Sequence, residues 1–310
     1  MFALKTRKQP TLLSSVIPGT TGIAIAQVEQ QNKELFTLQS CEYISTLDEG
    51  NIDIAQLLKG YRLDKQPCTT VLPIGDYQLL MVDAPEVPPA ELRAAIRWRI
   101  QDMIDFHVDD AVLDVFDVDI NTSNYTKKQL YVVVARTSTV KQRINLLEQA
   151  GVNLDIIDIP ELAIRNIAAR LPEDANGLIT LYFEAEHCLI TLTHESSLYL
   201  TRTLDIGYRQ LQEAASNPQP LSNRLALEIQ RSMDYYEHNY RQAPIKSMAI
   251  LPIPATLYGF TDALQQTLGL DTRTVSMSDI LECNPEPDAE TTARCLLAVG
   301  SALRTEKKTL

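Results

Sequence analysis

Glycine is scarce in this chain: there are 11 in 310 residues, about half of the usual ~7%, while the 16 prolines are near their norm. Folds that grip phosphates use glycine where the backbone must approach an anion closely, so the shortage argues against a dedicated nucleotide cradle. Positive charge is also in deficit, with 28 Lys and Arg against 40 Asp and Glu and a net charge of -12. Such a balance repels phosphate backbones and anionic lipid, which argues against nucleic acid as a partner and against direct membrane insertion. The five cysteines (Cys41, Cys68, Cys188, Cys283 and Cys295) are odd in number, scattered and without CxxC spacing. They suit neither a disulfide framework nor a zinc site, and a reduced, cytosolic compartment is expected. No stretch approaches the ~18 apolar residues of a membrane helix, and the opening MFALKTRKQP has no apolar run of signal-peptide length.

What is present is an apolar content of 45%, enough for the cores of two domains. The organising stretch is 177–211. There 178–183 and 188–193 read as strands, His194-Glu195-Ser196-Ser197 as a turn into a third strand at 198–203, and Gly207 as the passage into a helix. Upstream, strands are expected at 22–30 and 35–43, with a short helix at 54–59. A strand pair is expected around Gly75-Asp76, then a helix over 90–106 started by Pro88-Pro89. A half-exposed strand at 116–120 and a buried one at 129–136 flank a polar loop at 122–128. Helices follow at 138–150 and 160–170 around a strand at 152–157, and LPEDANG (171–177) reads as an interdomain hinge. Beyond the hairpin, 221–240 carries Leu225, Ile229, Met233, Tyr236 and Tyr240 on one helical face; a strand at 245–253 and helices at 259–266 and 290–304 complete the reading.

Few residues carry chemistry. His107-Val108-Asp109-Asp110 and Glu184, Glu186 and His187 lack recognised ligand spacing and read as solvated turns, so no metal site is expected. His194 and His238 are isolated, and Ser196-Ser197 sit in a turn with no nucleophile-elbow context, so no catalytic residue is assigned. The tyrosines at 235, 236 and 240 read as core or packing between subdomains. Trp98, the only tryptophan, falls nearly opposite the apolar stripe Leu92, Ile96, Ile100, Met103 and Ile104. It must be covered either by the rest of the chain or by a partner.

Four stretches, ELRAAIRWRIQDMIDFHVDDAVLDVFDVD (91–119), VVVARTSTVKQRINLLEQAGVNLDIIDIPELAIRNIAAR (132–170), LALEIQRSMDYYEHNY (225–240) and GFTDALQQTLGL (259–270), with the terminal AVGSALR (298–304), resemble the PilM and MshI group of pilus-biogenesis proteins. The resemblance implies an α/β, actin-like (ribonuclease H-like) fold of two domains, related to FtsA. The first domain would comprise 1–68, 137–176 and the returning 290–310, with a strand-helix-strand-strand subdomain inserted at 69–136, and the second 177–289. It implies a cytoplasmic member of a type IV pilus platform of the MSHA kind, recruited to the inner membrane by holding the cytoplasmic N-terminal tail of a PilN-like protein. The assembly ATPase and a second copy of the chain are further partners it allows. Trp98, Arg97 and Asp102 are the candidate partner-binding residues. The family's nucleotide pocket falls on Gly19, Thr20, Thr21, Glu184, Glu186, Pro252 and Ile253. Here the first loop's Asp position is Ile17, the second loop's Asp and Gly positions are Tyr182 and Glu184, and Pro252-Ile253-Pro254 stand where a glycine pair precedes Ala255. Proline offers no N–H, and carboxylates repel phosphate. No cofactor is therefore expected; ATP with magnesium in a weak ATPase or nucleotide-driven switch is the alternative. A directly membrane-tethered filament would need an amphipathic C-terminal helix, and TEKKTL is too short and polar.

Overall fold

The computed structural model describes residues 11–46, 54–118, 128–254 and 259–305. The first half of the chain folds as strands β1 (Thr11–Pro18), β2 (Gly22–Gln30) and β3 (Phe36–Ser45), helix α1 (Ile54–Leu58) and strand β4 (Cys68–Val71). Strand β5 (Tyr77–Asp83), helix α2 (Leu92–Ile100) and strands β6 (Ala111–Asp117) and β7 (Gln129–Arg136) follow. Then come helix α3 (Thr137–Gln149), strand β8 (Leu154–Asp158) and helix α4 (Pro160–Ala168). The second half runs β9 (Leu178–Phe183), β10 (Cys188–His194), β11 (Ser197–Leu204), α5 (Tyr208–Glu213), α6 (Gln219–Tyr240), β12 (Ser247–Ile250), α7 (Phe260–Leu268), β13 (Asp271–Thr274), α8 (Met277–Ile280) and α9 (Ala289–Ala302).

The strands make two five-stranded sheets of matching design, β3-β2-β1-β4-β8 and β11-β10-β9-β12-β13. In each, three antiparallel strands are extended by two parallel ones, so each half repeats one architectural unit. A third sheet, β5-β7-β6, is the inserted strand-helix-strand-strand subdomain. Its alternation is clean: Val82, Leu113, Leu130, Val132 and Val134 face α2, whose Ile96 and Ile100 are fully buried against them. Leu79, Met81, Phe116 and Tyr131 point the other way and meet Leu198 of β11. There the hydroxyls of Tyr131 and Tyr240 both donate to the Tyr199 carbonyl, at 3.1 and 3.0 Å, and the Tyr240 ring stands edge-on to that of Tyr199. The tyrosines of α6 thus join subdomains, as their helical spacing suggested.

Several boundaries depart from the sequence reading. β1 was not anticipated, because Ser14 and Ser15 break its apolar pattern; both are fully buried, and Ser14 is satisfied by Gln27 and Gln66 at 3.0 and 3.1 Å. β4 does not form a hairpin with β5: it lies between β1 and β8 in the first sheet, so the inserted subdomain begins at Tyr77 and not at residue 69. The helix expected over 90–106 closes at Ile100, where the Met103 N–H turns back to the Ile100 carbonyl at 2.9 Å, and Met103 leaves the buried stripe to become 47% exposed. β6 starts five residues before the expected strand, the 245–253 strand shortens to β12, and the loop expected at 122–128 lies mostly outside the described residues. β13, DTRT, carries no apolar alternation for the sequence to show.

Helix α9 returns from the second half to the first. Asp288 caps it, accepting from the N–H groups of Glu290 and Thr291 at 3.0 and 2.9 Å, a contribution of about 1 kcal/mol. It crosses α4 at Gly300, where a Cβ would press into the Ala163 carbonyl, and the two helices fill a core shared by both large sheets. The 3-10 turn Pro172–Asn176 joins the halves, and its Glu173 takes Arg273 of β13 in a two-pronged pair, at 2.6 and 3.2 Å. That guanidinium holds the Glu173 carboxyl below its ordinary range. A carboxyl depressed in the folded state contributes stability above its unfolded pKa of about 4.3, and the contribution vanishes as pH falls through the folded value. Urea melts of Glu173→Gln should therefore show a deficit at pH 7 that closes by pH 3; an equal deficit at both pH values would mean the pair contributes only shape.

Candidate functional site

Between the two large sheets a cleft of about 630 Å³ opens at the β1–β2 turn. Gly19, Thr20, Thr21 and Gly22 line one wall and Glu184 of the β9–β10 turn faces them, so the structure brings these predicted residues together. Glu186 does not join them: it is exposed and paired with Arg209 at 2.9 Å. Pro252 and Ile253 also stay outside; Ile253 packs on the core of the second half and Pro254 lines the cleft in their place. Ala255 lies outside the described residues.

The first loop is occupied by the chain itself. A Cβ on Gly22 would fall 2.5 Å from the ring carbon and hydroxyl of Tyr43, whose hydroxyl shares a 2.6 Å hydrogen bond with Thr21. The Arg294 guanidinium lies 4.7 Å over that ring and reaches Glu290 at 2.9 Å. Arg143 of α3 donates to the Pro18 carbonyl at 2.9 Å, and burial pulls its pKa below the usual range. Ile17, at the family's Asp position, is packed against the shared core. Two guanidiniums, of Arg143 and Arg294, thus stand in the cleft beside a loop that has no carboxylate, and Asp76 and Glu184 are acidic groups that line it.

The second loop is closed by its own backbone. The Tyr208 and Arg209 N–H groups at the start of α5 donate to the Glu184 and Ala185 carbonyls at 2.9 and 3.3 Å, and Gly207 presses so closely on Ala185 that no side chain fits there. Those donors are spent and cannot serve a phosphate. Burial raises the Glu184 carboxyl above its ordinary pKa. Behind it, Tyr77 at the start of β5 donates to Glu161 of α4 at 2.5 Å, and burial raises Glu161 likewise. Tyr43, Arg143, Arg294, Tyr77 and Glu161 escaped the sequence reading because each acts through a partner at least 22 residues away, and Arg143 through one 125 away.

Other expectations resolve simply. His194 shares a 3.2 Å hydrogen bond with Tyr236 inside the second half, and His107 accepts from the Asp109 N–H at 3.3 Å on the surface. Cys41 and Cys283 pack on the shared core that contains Cys295, and contact with the Cys295 thiol followed by burial pushes the Cys41 pKa upward. A thiol so raised is a poor nucleophile.

A second region lies on the inserted subdomain. Trp98 is 72% exposed, so no described residue of the chain covers it. Asp102 is exposed beside it. Arg97 is committed instead: it donates to the Val108 and Ala111 carbonyls at 2.5 and 3.1 Å, tying α2 to the start of β6.

Two matched five-stranded sheets around a cleft, with a helix returning to the first, define an actin-like fold. Within that class the chain is similar to PilM: residues 79–218, from β5 through α5, match the family model described as type IV pilus assembly protein PilM. Over the whole chain the structure superposes on one from a PilM-PilN type IV pilus biogenesis complex, with a TM-score of 0.73, 19% identity and coverage of 96% of this chain and 98% of that one. It is more distantly similar to the cytoplasmic domain of EpsL of the type II secretion system of Vibrio cholerae, at a TM-score of 0.49, 11% identity and coverage of 92% and 94%. A Bacteroides thetaiotaomicron protein with an actin-like ATPase fold superposes at 0.45 with 12% identity, over 95% and 98%. No curated protein matches the sequence. Among the described residues no helix is long and apolar enough to cross a membrane, and no group of three His, Cys, Asp or Glu could hold a metal ion.

Proposed function

We propose that this protein is a non-catalytic adaptor of a type IV pilus platform, of the MSHA kind, which holds the cytoplasmic tail of a PilN-like inner-membrane protein. The observation that carries the reading is the whole-chain likeness to a PilM found in complex with PilN, with the match to the PilM family covering the inserted subdomain. The exposed Trp98 on that subdomain supports a protein partner. The cleft supports the adaptor over a nucleotide machine, because Tyr43 fills the first loop, Ile17 stands where the family has a metal-binding carboxylate and the α5 donors are spent. Such an adaptor works in the cytoplasm and reaches the membrane only through its partner.

The test is a pull-down in which the purified protein is offered the full-length PilN-like partner in detergent. A stoichiometric complex is expected, and recovery no better than from beads alone refutes the adaptor. The persistence of an open cleft with its Gly19-Thr20-Thr21 loop favours one rival, an ATP-dependent switch. Calorimetric titration with ATP and magnesium should give no saturable heat; a low-micromolar Kd would establish that rival instead.

A further inference from the structure

The wall of the cleft that belongs to the second half carries polar groups without partners. Tyr182 of β9 is only 9% exposed, and its hydroxyl is open to solvent yet meets no hydrogen-bonding partner among the described residues. The rest of the side chain is enclosed by the shared core, so that opening is the cleft it lines. Tyr208, at the head of α5, lines the cleft too, and its hydroxyl has no partner among the described residues. With them stands Glu184, whose carboxyl joins no hydrogen bond or ion pair there. The three lie close together, since Glu184 and Tyr208 both act electrostatically on the Tyr182 phenol. Buried polar groups are ordinarily satisfied, and a convergent set that is not satisfied, on the wall of a cavity, is a place for a ligand.

The charge of the wall decides which ligand. On the first-half side Arg294 is held by Glu290 at 2.9 Å and lies over the Tyr43 ring. Arg143 donates to the Pro18 carbonyl, and Asp76 acts on it as a counter-charge. Behind Glu184, Glu161 is committed to Tyr77 and Asp158 to Arg304. Glu184 itself feels only His187, a half-exposed ring that stands 3.7 Å from Asp205. Burial lifts its carboxyl above the ordinary pKa, as expected of a carboxyl that lacks a cation at contact distance.

An ammonium group answers this set. It brings one positive charge and three N–H donors, and the wall offers one carboxylate and two phenol oxygens that accept. A phosphate would meet the reverse, a repelling carboxylate and backbone donors already spent. A divalent metal ion would need more charged oxygens than one carboxylate supplies. We infer that the cleft takes a small aliphatic amine through its primary ammonium group, with Glu184 as counter-ion and the Tyr182 and Tyr208 hydroxyls as acceptors. This polarity is opposite to that of a phosphate site. The inference concerns a small-molecule ligand and stands apart from the adaptor reading.

The probe is hexane-1,6-diamine, titrated calorimetrically into the full chain at physiological salt. Hexamethonium is its control, with the same carbon chain and the same two charges but a methyl group in place of every N–H. A protein of net charge -12 attracts any dication diffusely, and that attraction treats the two alike. The diamine should bind about tenfold more tightly than hexamethonium, the scale of charge-assisted hydrogen bonds gained. Glu184→Gln should weaken the diamine by about tenfold and Tyr182→Phe severalfold, with hexamethonium little changed in either. Thermal melts accompany both, and Tyr208→Phe, at a half-buried site, supplies the same severalfold loss if Tyr182→Phe fails to fold. Equal affinity for the two dications overturns the site, as does diamine binding unchanged in Glu184→Gln and Tyr208→Phe. Absence of saturable diamine binding overturns it as well. None of these outcomes alters the pull-down with the PilN-like partner, so the ligand and the adaptor stand or fall separately.

Discussion

Gly300→Val should lower the unfolding free energy by more than about 3 kcal/mol, beyond the usual 1–3 kcal/mol of an overpacked core, because the obstacle is backbone. At the crossing of α9 and α4 the new side chain would enter the Ala163 carbonyl, with the Ile167 side chain 3.0 Å from the Cβ position on the same side. The adjacent Asn166 amide donates to the Gly300 carbonyl at 2.9 Å, so the helices cannot part without losing that buried bond. Helix propensity opposes the loss, since any replacement of a mid-helix glycine recovers up to about 1 kcal/mol. The clash dominates because neither helix has solvent to move into: both are enclosed by the core shared by the two sheets. Denaturant melts settle it, and a valine variant as stable as the wild type would show the crossing to be looser than its geometry.

Arg304→Met should cost about 3–5 kcal/mol at pH 7, the range for removing one member of a buried pair. Arg304 donates to Asp158 at 2.9 Å, and the Asp158 side chain is only 1% exposed. Its other oxygen accepts from the Ile159 N–H at 2.9 Å, which fixes the start of α4. Burial already raises the Asp158 pKa against the opposing pull of Arg304, the Ile159 N–H and Arg165, so losing the guanidinium drives it further up. A carboxyl raised in the folded state is penalised above its unfolded pKa of about 3.9, and the penalty is lifted as pH falls through the folded value. The deficit should therefore narrow on acidification, the reverse of Glu173→Gln. The double variant Arg304→Met/Asp158→Asn, neutral and still able to accept from Ile159, should recover most of the loss at pH 7. If the double variant is no more stable than the single one, the cost lies in packing of the arginine and not in a stranded charge.

The hairpin β9-β10-β11 was legible because three runs of alternating or continuous apolar residues are punctuated by turn-forming residues; the turn places Glu195 and Ser196 at φ of 49° and 66°. The face of α6 was legible through its 3.6-residue period. β1 was hidden because burial there is bought with side-chain hydrogen bonds of Ser14, which no local pattern records. The same holds for β4, whose neighbours β1 and β8 lie some fifty and eighty residues away. In the cleft, the absence of a carboxylate at position 17 and of a glycine at position 184 could be read from the sequence, but the groups gathered around the first loop could not: Tyr43 comes from the neighbouring strand β3, Arg143 from α3 and Arg294 from the returning helix. Trp98 was correctly placed opposite the buried stripe, and only the folded chain shows that no described segment covers it.

The meeting of Tyr131 and Tyr240 at one oxygen removes the polar part of the cost of parting the inserted sheet from the second half, while the apolar contact of Leu198 with Tyr131 and Val118 still holds them together. Tyr240 belongs to the same half as the carbonyl it serves and Tyr131 to the other side. If the two surfaces separated, Tyr199 would keep one donor and leave no orphaned acceptor, while the departing phenol would find water. A seam with a redundant donor can open and reseal without passing through a state that holds a dry, unmet polar group.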